Sequence, residues 1–278
     1  MPAMAIEEAA RAKINLALHI TGRRADGHHE LDSLVAFADV TDRVRVAPAD
    51  ADRLHLTGPE AATLSAEPDN LALRAARFFA GPPVAIAIGK ELPVAAGLGG
   101  GSADAAAVLR ALARLTGRAV PAGTDALGAD VPVCLASTAQ RIQGIGERLT
   151  PAPPLPPVHA VLVNPRVPVA TGAVFAALKR RENPPLPPLP ARFADTPALI
   201  GWLGAARNDL AGPADAIAPV IGQVRAALKA LPGALLVRLS GSGASVFALF
   251  GDRAAAAAGA ARIAAAEPGW WVRAARLS

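Results

Sequence analysis

Four glycines crowd into Gly97-Leu98-Gly99-Gly100-Gly101, between Pro93-Val94-Ala95-Ala96 and Ser102-Ala103-Asp104-Ala105-Ala106-Ala107. Glycine lets backbone N–H groups approach an anion closely and converge on it. A helix opening at Ser102 adds unpaired N–H groups and the positive end of its dipole at the same point. Such a loop can cradle phosphate without a lysine. Its register matches neither Gly-x-x-x-x-Gly-Lys-Ser/Thr nor Gly-x-Gly-x-x-Gly, the two common nucleotide fingerprints. A tight packing turn before an alanine-rich helix is the other reading of the same residues.

Three further segments could do chemistry. In Leu127-Gly128-Ala129-Asp130-Val131-Pro132 a carboxylate stands between a glycine turn and an extended X-Pro dipeptide, rigidly presented. It could take a proton from a substrate hydroxyl, or simply serve as a turn or helix-capping aspartate. Lys13 lies in a strand-like alternation and reads alone as an exposed lysine. Ser240-Gly241-Ser242-Gly243 reads alone as a hairpin turn.

The elements that must position these residues follow from periodicity. Lys13 to Ile20 alternates, with Lys13, Asn15 and His19 on the face opposite Ile14, Leu16, Leu18 and Ile20. A turn is expected at 21–27. Val44–Val46, Leu54–Leu56 and the alternating Val84, Ile86 and Ile88 read as strands. Asn70 is placed to cap a helix over 71–79. A second helix is expected from Ser102 to Leu115, on a stripe of Ala105, Val108, Leu109, Leu112 and Leu115. The stiff run Pro151-Ala152-Pro153-Pro154-Leu155-Pro156-Pro157 marks a domain junction, giving domains 1–155 and 156–278. Beyond it come a strand at 159–163, a short helix at 171–181, a proline loop at 184–190 and a helix over 214–231. Strands at 235–239 and 246–250, a helix and a last strand near 271–276 close the chain. Short mixed units of this kind indicate an α+β fold in two domains.

Composition narrows the function. The chain has 278 residues, 52% of them hydrophobic, only 4% aromatic and none tyrosine. It can bury a real core, and with 18% charged residues it lacks the signature of disorder. Its single cysteine, Cys134, forms no intramolecular disulfide and suits a reducing compartment. Lysine and arginine exceed aspartate and glutamate by 28 to 23, a net +5 without basic runs interleaved with aromatics. That disfavours nucleic acid and suits an anionic small molecule. No stretch resembles a signal peptide or a membrane span, so a cytoplasmic protein with no membrane partner is expected.

Taken together and in order, Lys-Ile-Asn-Leu at 13–16, the proline-led glycine loop, Gly-Ala-Asp-Val-Pro and Ser-Gly-Ser-Gly-Ala resemble the GHMP small-molecule kinases. The likeness runs from about residue 11 to about 250. It implies the two-domain GHMP kinase architecture, an ATP-binding domain like the second domain of ribosomal protein S5 followed by a ferredoxin-like domain. It also implies ATP and Mg²⁺, with Asp130 as base and Lys13 as its cationic partner. By the same resemblance, the loop Pro93, Ala95, Ala96, Gly97, Leu98, Gly99, Gly100, Gly101, Ser102 and Ala103 would wrap the ATP phosphates. Ser242 and Gly243 would line the cavity from the second domain. Lys90, just ahead of the loop, either reaches the nucleotide or stands solvated at a strand end.

Within the family, Gly22-Arg23-Arg24-Ala25-Asp26-Gly27-His28-His29 resembles the branch that phosphorylates the 2-hydroxyl of a cytidine diphosphate-linked methylerythritol. That branch usually has Asp-Gly-Tyr-His at 26–29, the aromatic and the histidine contacting cytosine. Here His28 stands in the tyrosine's place and His29 keeps the histidine. Asn15 would hydrogen-bond the polyol or diphosphate. Phe175 falls at the second cytosine-stacking aromatic, or is a core phenylalanine. The chain is shorter than expected between Thr116 and Asp130. Asn208-Asp209-Leu210 reads as a structural cap. The rivals are another family kinase, for homoserine or a mevalonate-like alcohol, and a proline-rich module docking through 151–157 and 184–190. A monomer or a homodimer fits equally.

Overall fold

The computed structural model describes residues 5–64 and 69–278. The fold is α+β and divides into two compact units, each discontinuous in sequence. The first holds the chain up to Ala12, Val40–Val94 and Gly99–Ser137; the second holds Lys13–Asp39, Ala95–Leu98 and Thr138–Ser278. A single cut at 155, expected from the prolines, is therefore not how the chain partitions. Two strands much longer than the pattern suggested, β1 (Ile6–Arg23) and β2 (His29–Pro48), each contribute to both units.

In the first unit the end of β2 pairs antiparallel with β4 (Val84–Gly89), which pairs in parallel with β3 (Arg53–Thr57). The alternation at 84–88 is the reason: Val84, Ile86 and Ile88 are all buried. Two helices, α1 (Leu71–Phe79) and α2 (Gly100–Thr116), pack on each other. Asn70 caps α1 by accepting from Ala72 N, as its position predicts. Buried Ala103, Ala105, Ala106, Ala107 and Ala111 line α2, so its axis can approach its neighbours closely. The short stretch before Asp130 contains one 3₁₀ turn at Thr124–Leu127, and α3 (Val131–Ala136) follows.

In the second unit, strands run in the order β2, β10 (Trp271–Leu277), β7 (Val158–Asn164), β9 (Val246–Phe250), β8 (Leu236–Leu239), all antiparallel. The first part of β2 also pairs with β5 (Gln140–Gly144), which forms a hairpin with β6 (Arg148–Pro151). Neither β5 nor β6 was foreseen. The helices are α4 (Thr171–Ala176), α5 (Thr196–Gly204), α6 (Ala211–Ile217), α7 (Val220–Lys229) and α8 (Arg253–Ala266). The helix expected over 214–231 is two helices, because Pro219 has no N–H to continue α6 and instead opens α7. Val161, Val246, Ala248 and Phe250 of the sheet share a core with Ile221, Val224, Leu228, Ala256, Ala260 and Ile263. Among the described residues no helix is long and apolar enough to cross a membrane.

Candidate active site

In the second unit, Lys13, Asn15 and His19 share a face of β1, and all three are buried. The exposed-lysine reading of Lys13 therefore falls. Its backbone N–H donates to Leu98 O at 2.8 Å, and Ser245 N donates to Ala96 O at 3.1 Å. Ser240 Oγ accepts from Asn15 N at 3.1 Å and donates to Gly97 O at 2.8 Å. The stretch Ala95–Leu98 is thus stitched by its carbonyls to β1 and to the loop after β8. Gly97 is obligatory there: at φ +70° its Cβ would lie 2.3 Å from Ser240 O and 2.9 Å from Gly243 O. Ser242 Oγ lies 2.9 Å from Thr171 Oγ1, at the start of α4. Asn15 Nδ2 donates to Ser33 Oγ at 2.8 Å, while its Oδ1 is buried with no hydrogen-bond partner in the protein. A buried amide oxygen without a donor is costly unless a ligand supplies one. Asn208 donates to Leu239 O and Gly241 O, so it fixes the Ser240–Gly243 turn and is structural, as expected.

In the first unit, Pro93 and Val94 lead toward the glycine loop, and α2 starts at Gly100 behind Gly99. Gly99 takes φ +65° and offers no capping side chain; the first helical bond is Ala103 N to Gly99 O, 2.8 Å. The N–H groups of Gly100, Gly101 and Ser102 precede that bond and lie where an anion is favoured. A Cβ on Gly101 would meet nothing within 4 Å. Beneath this end of α2, the Lys90 ammonium donates to Asp104 Oδ2 at 2.6 Å and also to Asp42 Oδ2. All three side chains are nearly sealed from solvent. Burial works against the charge on Lys90, but Asp104 and Asp42 more than offset it and hold its pKa above the ordinary lysine value. Lys90 is therefore neither solvated nor reaching for a nucleotide, because both carboxylates claim it.

Asp130 is half-buried at the start of α3, and its carbonyl accepts from Cys134 N. The expected extended Val131-Pro132 dipeptide is absent. Val131 is helical, since a proline in the first turn replaces an N–H that has no helical partner anyway. Asp130 gives α3 no side-chain cap, so the capping reading is not the one realised.

His29 and Phe175 come together in the second unit, their ring centroids 5.2 Å apart with planes tilted by 37°. His29 Nε2 is buried with no partner in the protein. Burial, then the positive charges of Arg23 and Arg181, lower the His29 pKa and favour the neutral ring. His28 is exposed and turned to its own loop, its backbone N–H donating to Asp26 Oδ1 at 3.0 Å. Phe175 is half-buried, packed against the core, with its ring beside His29. The sequence reading passed over Asp42, Asp104, Ser33 and Thr171. Asp104 did carry a signal: a carboxylate inside an alanine helix face has to find a partner.

The GHMP kinases N terminal domain matches residues 70–137 and the GHMP kinases C terminal domain matches residues 196–268. Fold and glycine loop together define a GHMP-type kinase, which uses ATP. A relative from Cereibacter sphaeroides is 54% identical over 98% of this chain and 99% of its own length. One from Paracoccus denitrificans is 57% identical over 98% of this chain and 96% of its own. Both are named 4-diphosphocytidyl-2-C-methyl-D-erythritol kinase. A crystal structure of 4-(cytidine 5'-diphospho)-2C-methyl-D-erythritol kinase superposes with a TM-score of 0.79 at 36% identity, covering 98% of this chain and 99% of that one. The chain belongs to the GHMP kinases, in the 4-diphosphocytidyl-2-C-methyl-D-erythritol kinase family.

Proposed function

We propose that this chain transfers the γ-phosphoryl group of ATP to the 2-hydroxyl of 4-diphosphocytidyl-2-C-methyl-D-erythritol, a step of isoprenoid precursor synthesis in the cytoplasm. The observation that carries the substrate is the His29–Phe175 pair with its unpartnered Nε2. Two rings and one unfilled hydrogen-bonding nitrogen suit a flat base with polar edges, and cytosine is one. Homoserine and mevalonate have no base to offer it. The names and identities of the relatives support the same choice.

The mechanism follows from what phosphoryl transfer requires, which is alignment and positive charge where negative charge develops. The N–H groups at the start of α2 and the Ala95–Leu98 stretch hold the ATP phosphates. Asp130 accepts the proton of the 2-hydroxyl, and the Lys13 ammonium supplies positive charge at the reacting oxygens. Asn15 Oδ1 accepts from a substrate hydroxyl. Among the described residues no cluster of three His, Cys, Asp or Glu could hold a metal ion. Mg²⁺ bound together with the ATP phosphates would supply further positive charge where the γ-phosphoryl group leaves.

The test offers purified protein Mg-ATP with the cytidine diphosphate-linked alcohol, homoserine and mevalonate in parallel. Turnover of the cytidine compound alone is expected. Turnover of homoserine or mevalonate without it would overturn the reading.

A further inference from the structure

His19 belongs to no part of the site described so far, yet it is fully buried on the same face of β1 as Lys13 and Asn15. Both ring nitrogens are committed. Nδ1 lies 3.0 Å from Pro184 O, and Nε2 accepts from Arg207 N at 3.0 Å. A carbonyl only accepts and an amide N–H only donates, so the ring must be neutral with its proton on Nδ1. A second proton would set Nε2–H against the Arg207 N–H. Burial first lowers the His19 pKa; the Pro184 carbonyl opposes this, the Arg207 charge adds to it and Asp209 opposes it.

Pro184 sits in a strap fastened at several points. Asn183 donates to Ile20 O through its backbone at 3.1 Å and its side chain at 3.0 Å. Arg207 Nη2 also donates to Pro184 O, at 2.8 Å. Leu186 N donates to Asp32 Oδ2 at 3.0 Å, and Asp32 in turn takes two hydrogen bonds from Arg141. The strap therefore crosses β1 at His19 and Ile20 and β2 at Asp32, three residues beyond His29. Upstream, the same run of chain meets His29 twice, through the ring of Phe175 and the charge of Arg181. Of the strap's fasteners, His19 alone is an imidazole, whose Nε2 turns from acceptor to donor when it takes a proton.

We propose that His19 is a positioning residue for the base end of the substrate: as the neutral Nδ1–H imidazole it locks the 183–186 strap onto β1, and the strap holds Phe175 and Arg181 in place against His29. The base-binding role rests on the function proposed above; the latch does not. Releasing it loosens one wall of the base pocket and leaves the phosphate loop alone. Acid therefore raises KM for the nucleotidyl substrate before it touches KM for ATP.

The experiment follows amide exchange at Asn183 and Leu186, the two N–H groups of 183–186, between roughly pH 8 and pH 5, corrected for chemical exchange, alongside both KM values. Wild type, H19Q and H19F are compared. Protection in wild type should fall about fivefold to tenfold on acidification, as the loss of one ordinary hydrogen bond requires, with KM for the cytidine substrate rising in parallel. H19Q keeps a donor and an acceptor but does not titrate, so its protection and KM stay flat with pH. H19F has neither, so its protection is lowered at every pH although the other fasteners remain. The proposal is overturned if H19Q shows the same pH dependence as wild type, which would assign the effect to another group, or if H19F keeps the strap as protected as wild type at pH 8. If H19F does not fold, wild type and H19Q decide. A protein that ignores the cytidine compound but shows the exchange pattern retains the latch and refutes only the substrate.

Discussion

Lys90 donates to Asp104 across 2.6 Å, nearly sealed from solvent, while a second carboxylate, Asp42, shares the same ammonium. One cation between two anions leaves the trio an excess negative charge unless a proton joins it. Burial pushes Asp104 up to about 7, Lys90 opposing the shift and the Asp42 charge adding to it. A carboxyl whose folded pKa lies above its unfolded value stabilises fully below the unfolded pKa and loses that contribution as pH rises through the folded one. Asparagine is neutral throughout. The stability of D104N relative to wild type should therefore increase from about pH 4 to about pH 8, read as urea midpoints. K90M leaves two buried carboxylates without a cation and should cost about 3–5 kcal/mol at neutral pH.

Two glycines of the glycine-rich loop separate structure from the proposed phosphate binding. G97A forces a Cβ onto Ser240 O and Gly243 O at a left-handed φ, and backbone atoms cannot swing aside. The conformation alone costs about 1–3 kcal/mol, so Tm and ATP binding should fall together. G101A meets open space inside a helix and should leave Tm unchanged or slightly higher. Its KM for ATP should still rise, because the new methyl occupies the approach to the helix N-terminus. Thermal melts and ATP titrations of both variants check this.

The contrast shows what was legible in the sequence. Local signals sufficed for α1, β4 and α2, where a capping residue, a strict alternation or a glycine stop states the boundary. Lys13, the glycine loop and Asp130, on which the proposed function draws, could be singled out for the same reason, since each sits in a distinctive run. The β5–β6 hairpin was not, because Gln140-Arg141-Ile142-Gln143-Gly144 has one aliphatic residue and draws its order from pairing with β2. Lys90 was misread because its partners, Asp42 and Asp104, lie 48 and 14 residues away. The His19 latch joins residues more than 160 positions apart, beyond any local pattern.

His28 occupies the place where the related kinases usually carry a tyrosine, yet its ring is largely exposed and tied to Asp26. H28Y adds a larger stacking surface beside His29 and removes only a local turn contact. KM for the cytidine substrate should stay level or fall, with KM for ATP unmoved. A marked rise in the first would mean that His28 makes a specific polar contact with the substrate. Steady-state kinetics at fixed saturating ATP measures it.

Asp130 offers the sharpest test of the proposed chemistry, because its backbone and side-chain roles are separable. Its carbonyl receives the Cys134 N–H, and that contact survives any side-chain change. The side chain makes no cap to α3, so asparagine can replace it without unravelling the helix. D130N keeps the size and polarity of the group but cannot take a proton from a hydroxyl. If Asp130 is the base, kcat should fall by about 10²-fold or more, while ATP affinity and Tm stay near wild type. D130E keeps the basicity but moves the carboxylate by one methylene and should recover part of the rate. Wild-type turnover by D130N would remove Asp130 from the proton transfer, leaving alignment by the phosphate loop and the Lys13 charge to account for catalysis.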